Sequence, residues 1–290
     1  MPAPVSPEAL AAALARAGYL ADPGLAIAGF LATRLDRPIF LEGDAGVGKT
    51  AFAAALAEAT GVELIRLQCY EGLDAAQALY DWDFPRQILH LRTAEATGTA
   101  DARTLETSLY DRRFLLARPL LRALETPCVL LIDEVDRADD EFEAYLLELL
   151  ADWAISIPEL GRVAATAPPT TVITSNRTRE VHDALKRRCL YHWVDHPDPE
   201  REAAILRARL PEVSGRLTTQ VAGTVARLRR LDLVKPPGVA EAIDWAGALH
   251  VLGADVLTAP LAEATLGAAV KVREDLDRVR PRLADLVSEV

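Results

Sequence analysis

The run Gly43, Asp44, Ala45, Gly46, Val47, Gly48, Lys49 and Thr50 reads GxxxxGKT and constrains this chain more than any other segment. It follows the β-type run Pro38–Leu41 and opens an Ala-rich helical run, Lys49–Thr60, which Gly61 stops in the usual C-terminal position. In that setting the glycines let successive backbone N–H groups face a phosphate chain. The helix dipole adds partial positive charge at the same place. Lys49 is expected to reach the β and γ phosphates of ATP, and Thr50 to bind Mg²⁺ through its hydroxyl. A chance Gly-rich turn is a poor rival, because strand, loop and helix all agree.

A strand of this kind needs a parallel sheet around it, and four further β-type runs supply one. Leu64–Cys69 alternates Ile65, Leu67 and Cys69 with Arg66 and Gln68, which suits a half-exposed edge. Cys128–Ile132 is uniformly apolar and predicts a strand buried on both faces, while Thr171–Thr174 and Tyr191–Val194 complete a five-strand α/β reading. Phe142, Tyr145, Leu146, Leu149, Leu150 and Trp153 recur at helical spacing and predict a helix packed on the sheet. Three segments surround the core. Ser6 and Pro7 open an N-terminal helix within 1–20 that packs on a core spanning 21–196. An aromatic insertion covers about 70–92, and a hairpin about 154–166, turning at Glu159, Leu160 and Gly161. From Pro197 the pattern is helical without strands, opened by Asp198 and Pro199, and 197–290 is expected to form a separate helical domain.

The uniformly apolar run ends in Asp133 and Glu134, two carboxylates at the rim where ligands of such sheets bind. Asp133 is expected to hold Mg²⁺ through water, and Glu134 to act as general base on the attacking water. Alone, an acidic pair after an apolar run is often just a solvated strand end; downstream of GxxxxGKT it points to catalysis. Asn176 follows the fourth strand at the same rim, where an amide can orient water, although such an Asn is commonly only a turn residue. Lys186, Arg187 and Arg188 close a short helical stretch begun at Asp183. They read either as a solvated helix end or as an arginine finger serving a neighbouring subunit.

Other features carry less. His192 and His196 are four apart, but a strand separates them by roughly 13 Å, so no metal site is expected there. Asp139, Asp140, Glu141 and Glu143 suit a helix start. Tyr70, Tyr80, Trp82 and Phe84, interleaved with acids, read as core packing first and as a partner surface second. With 32 Lys+Arg against 43 Asp+Glu the net charge is −11, a field that repels phosphate backbones and disfavours nucleic acid as a partner. No leader-like or membrane-spanning apolar run occurs, and the three widely spaced cysteines, Cys69, Cys128 and Cys189, fit buried thiols in a cytoplasmic protein.

These motifs, in this order, resemble the AAA+ ATPases, and the details are similar to the MoxR branch across nearly the whole chain. The similarity rests on LQCYEGLDAAQALYDWDF, ISIPELG, DALKRRCLYHWVDHP and LGAAVKVREDLDRV. Within the branch the chain is most similar to CoxD-type proteins linked to maturation of molybdenum-containing carbon monoxide dehydrogenase. The resemblance implies an αβα P-loop NTPase core with a C-terminal helical lid, a homo-oligomeric and usually hexameric ring, and ATP-driven remodelling of a client. It also implies a von Willebrand factor A domain partner and a client metalloenzyme. By the same resemblance Asn176 takes the sensor-one position and Arg187 the finger position in trans, with Arg188 its alternative. The sensor-two arginine of many relatives has no counterpart here, where the segment reads Lys235, Pro236, Pro237, Gly238. Lys235 either substitutes or lid closure is coupled to nucleotide differently. A DNA-directed motor or loader and a nucleotide-gated scaffold with little turnover are the competing functions.

Overall fold

The computed structural model describes residues 4–97 and 108–288. Helix α1 (Pro7–Arg16) begins where Ser6 Oγ accepts from Ala9 N at 3.2 Å and Pro7 takes the first helical position. Leu10 and Leu14 are fully buried in the core cluster that holds Leu41, Phe52 and Leu56, so α1 packs on the sheet-and-helix body. Helix α2 (Pro23–Leu35), capped by Asp22, has no counterpart in the sequence reading. Its apolar residues lie on every side, with Ile27 and Leu31 exposed and Leu25 and Ala26 buried, so no single face marks it.

Strands β1 (Ile39–Glu42), β2 (Glu63–Gln68), β5 (Cys128–Asp133), β8 (Thr170–Ser175) and β9 (Leu190–Trp193) form one sheet in the order β2-β5-β8-β1-β9. Every pairing is parallel. All of β5 is buried, whereas β2 alternates in exposure at the sheet edge. Each strand lies within one residue of its expected bounds. The register sets Gln68 beside Asp133, and Glu42 beside both Ser175 and Trp193, so the carboxyl ends of all five strands share one rim. Ligands of open α/β sheets bind at such a rim. Helix α3 (Lys49–Thr60) follows β1 and ends in Gly61 at φ 72°, a left-handed cap.

Between β2 and β5 the chain makes α4 (Ala75–Leu79), β3 (Tyr80–Trp82), α5 (Phe84–Thr97), β4 (Leu115–Ala117) and α6 (Pro119–Glu125). β3 and β4 pair antiparallel as a separate ribbon. The aromatic stretch divides: Trp82 sits edge-on between Tyr80 and Tyr110, with centroids 6.1 and 5.4 Å away, whereas Phe84 is 60% exposed. After α7 (Asp140–Asp152), Trp153 takes φ 47° and turns the chain into the antiparallel hairpin β6 (Ala154–Ile157) and β7 (Gly161–Ala164). All three cysteines are buried, and burial pushes the thiols of Cys69 and Cys189 up to about 12 and that of Cys128 to about 11. Such thiols are unreactive.

The C-terminal helices α9 (Pro199–Arg209), α10 (Gly215–Leu228), α11 (Val239–Val251), α12 (Ala259–Ala269), α13 (Arg273–Val279) and α14 (Leu283–Ser288) share a core of their own around the fully buried Trp245. Arg229 locks their geometry. Its Nη1 and Nη2 donate to Glu202 Oε2 and Oε1 at 2.8 and 2.6 Å, and its Nε donates to Pro237 O at 2.7 Å. Burial raises the Glu202 pKa, and the guanidinium opposes that shift. Arg229→Ala strands a fully buried carboxylate, so it should cost about 3–5 kcal/mol in denaturant unfolding. Adding Glu202→Leu should recover most of that loss; a double variant as unstable as the single one would mean that packing, not the unpaired charge, dominates.

Candidate functional site

The GxxxxGKT loop lies at the rim, pressed between β9 and the C-terminal helices. A Cβ on Gly43 would sit 2.4 Å from Val194 O, so only glycine lets the chain pass there. Gly46 has φ 81°, and its carbonyl accepts from Val239 N at 2.9 Å, satisfying one of the free N–H groups that open α11. Lys49 is buried with Nζ over the loop, donating to Gly43 O and Asp44 O, both at 2.7 Å. Burial lowers its pKa, against the pull of Asp136, Asp44, Asp133 and Glu134. The ammonium therefore sits where added negative charge is welcome.

Thr50 Oγ1 donates to Asp133 Oδ1 at 2.9 Å, bringing together the hydroxyl and carboxylate expected to hold Mg²⁺. Thr174 Oγ1 shares that oxygen at 2.6 Å, and Arg66 Nη2 takes Oδ2 at 2.5 Å. The oxygens of Thr50, Thr174 and Asp133 fit a hard cation of the Mg²⁺ type. Glu134 stands beside it at φ 55°, a left-handed conformation sparsely used by residues with a Cβ and concentrated at functional sites. Its Oε1 accepts from Asn176 Nδ2 at 3.2 Å, and its Oε2 from Gln68 Nε2 at 3.1 Å and Arg137 Nη1 at 3.0 Å. The structure thus assembles Lys49, Thr50, Asp133, Glu134 and Asn176 at one place.

The roles of two acids are not legible in the sequence. Asp136, buried to 2% exposure, accepts from Asn176 N at 3.2 Å and Thr178 N at 2.8 Å, and so fixes the loop that carries Asn176. Glu143 is wholly buried, paired with Arg179 and accepting from His182 N at 2.9 Å, so it anchors the same loop's far end rather than only suiting a helix start. Their partners lie some forty residues downstream, so only the acid three positions after Asp133 could have drawn attention from sequence.

Helix α8 (Asp183–Arg188) carries the basic run, and its members differ. Lys186 is taken by Glu42 at 3.2 Å, and Arg188 Nη1 by Leu147 O at 2.7 Å. The Arg187 side chain is 81% exposed, and among the described residues its ion pair is a 3.6 Å contact to Asp183. The structure does not bring it to the rim of its own chain. His192 and His196 part company too, His192 lying 3.6 Å from Asp22 and His196 3.3 Å from Asp44.

A cavity of about 370 Å³ joins the rim to the C-terminal helices, lined by the loop, Tyr19 and Val194 on one side and by Ile205, Val239 and Ile243 on the other. Lys235 is not among the lining residues; its backbone N donates instead to Asp275 Oδ2 at 2.9 Å. Gly238 opens α11 so close to the loop that a Cβ would lie 2.8 Å from Gly46 Cα, leaving no space for a side chain. The basic side chains lining the cavity from the C-terminal helices are Arg201 and Arg209, both on α9.

Residues 38–189 match the family model described as AAA domain (dynein-related subfamily). The chain belongs to this AAA family. NorQ of Paracoccus denitrificans (strain Pd 1222) is 26% identical over 178 residues, covering 59% of this chain and 57% of that protein. Midasin of Giardia intestinalis is 48% identical over 48 residues, 17% of this chain and 1% of midasin. The chain therefore spans little more than half of NorQ and a small fraction of midasin. Among solved structures, a point mutant of Thermotoga maritima RuvB is 17% identical, covering 87% of this chain and 69% of that one with a TM-score of 0.50, a likeness of fold. The AAA match and the NorQ relation bear out the MoxR-like AAA+ resemblance. Among the described residues no helix is long and apolar enough to cross a membrane.

Proposed function

We propose that this chain is a Mg²⁺-dependent ATPase that works in a ring and remodels another protein, with its C-terminal helices acting as the lid. The observation that carries the reading is the convergence of Lys49, Thr50–Asp133 and Glu134–Asn176 at one rim of the sheet, facing a cavity lined on its other side by the C-terminal helices. Successive N–H groups from Gly43 to Thr50 would cradle the phosphates, and Lys49 would neutralise their terminal charge. Thr50 and Asp133 would hold Mg²⁺, which when bound screens phosphate oxygens during transfer. Glu134 would take a proton from the attacking water while Asn176 orients it. Arg187, exposed on α8, would reach a neighbour's terminal phosphate.

The finer reading follows the MoxR-like resemblance: maturation, cofactor insertion or activation of a metalloenzyme, for example a molybdenum-containing carbon monoxide dehydrogenase of the CoxD setting. A von Willebrand factor A domain protein would act beside a hexameric ring. The net charge of −11 supports a protein client over a nucleic acid.

Lys49→Ala removes the one buried cation that the loop itself supplies, so ATP affinity by calorimetry should fall about tenfold to hundredfold. Unchanged affinity would defeat the phosphate-loop assignment. Turnover of the full chain should rise with a client or a von Willebrand factor A domain protein and not with DNA; stimulation by DNA alone would move the reading to a nucleic-acid motor.

A further inference from the structure

Edge strand β2 reaches across the Mg²⁺-binding carboxylate in a way that none of the assigned roles uses. Arg66 and Gln68 point from the same face of β2, the first to Asp133 Oδ2 at 2.5 Å and the second to Glu134 Oε2 at 3.1 Å. Asp133 is 2% exposed, and its Oδ1 already accepts from Thr50 and Thr174. Oδ2 is the oxygen with capacity to spare, and a guanidinium stands on it.

We propose that Arg66 is a displaceable cation that competes with hydrated Mg²⁺ for Asp133, setting the Mg²⁺ concentration at which the site loads. The inference rests on the Mg²⁺–nucleotide reading of this rim. Asp133, Glu134 and Asp136 crowd three carboxylates into four residues, a density of negative charge that needs a nearby cation to be stable. Lys49 faces the loop carbonyls and Arg137 faces Glu134, so Arg66 is the cation on Asp133. A divalent ion approaching the same carboxylate repels that guanidinium at short range. Arg66 can leave: its side chain is 51% exposed at the sheet edge, and swinging into water gives up its bonds to Asp133 Oδ2 and Gln68 Oε1.

The ion pair would thus link metal loading to β2. When Arg66 releases Asp133, its charge moves to the outer face of the edge strand, two residues before Gln68 and its grip on Glu134. Arg66 is a positioning residue in this scheme, and it makes no contact with the reacting atoms.

The test titrates free Mg²⁺ against binding of a fluorescent ATP analogue to the full chain, comparing the parent with Arg66→Gln and Arg66→Lys. Arg66→Gln keeps a polar side chain without the charge and should lower the Mg²⁺ needed for half-saturation roughly three- to tenfold, the range expected for a half-exposed charge-assisted bond. Arg66→Lys, still cationic, should stay near the parent. Melting in EDTA should be lower for Arg66→Gln than for the parent, and that gap should close with saturating Mg²⁺ and ATP. An unchanged or raised Mg²⁺ requirement in Arg66→Gln would overturn the competition. So would an equal loss of melting temperature with and without Mg²⁺ and ATP, the result expected of a simple edge-strand staple. Absence of any Mg²⁺-dependent nucleotide binding by the parent would defeat the nucleotide reading itself, and this inference with it.

Discussion

Glu134→Gln protein should bind ATP like the parent and hydrolyse it about a hundredfold or more slowly, because an amide cannot accept the proton that the attacking water must lose. The substitution preserves shape. The introduced amide would still accept from Asn176 Nδ2 on its oxygen, while its NH2 would face Gln68 Nε2 and the exposed Arg137 Nη1, two side-chain donors that must turn aside. Calorimetry reports binding and phosphate release reports turnover, which separates the two roles. Near-normal turnover would place the base elsewhere, and the rim offers a poor substitute. Asp133 already accepts from Thr50, Thr174 and Arg66, and Asp136 is buried and accepts from Asn176 N, Thr178 N and Thr178 Oγ1.

The parts of this site that sequence reveals are those whose physics is local. GxxxxGKT is a contiguous string in which glycine, lysine and threonine each have a reason to be where they are. The uniformly apolar Cys128–Ile132 likewise announces a central strand, with the carboxylate of Asp133 at its end. Arg66 and Asp133 are 67 positions apart, and Asp136 and Asn176 are 40 apart. No periodicity links such pairs, because sheet register, not spacing along the chain, brings them together. The same limit explains Gly238. Sequence shows that the segment Lys235–Gly238 lacks an arginine, but only the packing of Gly238 on Gly46 shows that no side chain fits there. Helix α2 was illegible for a different reason, since apolar residues on every side of a short helix give no periodic face to find.

Three adjacent basic residues look alike in sequence, and their contacts tell them apart. Lys186 is committed to the buried Glu42, and Arg188 to the carbonyl of Leu147, while Arg187 projects into solvent with 81% exposure. Arg37 braces the helix end beneath it, donating to Arg187 O at 3.0 Å, Arg188 O at 3.3 Å and Cys189 O at 3.4 Å. An exposed guanidinium on a braced helix end suits a finger that works across a subunit boundary. Arg187→Ala should therefore leave nucleotide binding intact and lower turnover by roughly three orders of magnitude. Mixing supplies the decisive arm. Arg187→Ala subunits keep Glu134, and Glu134→Gln subunits keep Arg187, so each pure assembly should be nearly inactive. In mixed rings every interface that joins an intact Glu134 to an intact Arg187 should regain turnover, giving a maximum at intermediate ratios. Activity that stays flat at every ratio, with mixing verified by mass spectrometry, would rule out the trans role. Arg188, tested in the same way, would have to give up its bond to Leu147 O before it could serve, so Arg188→Ala should also disturb α7, whereas Arg187→Ala should leave melting unchanged.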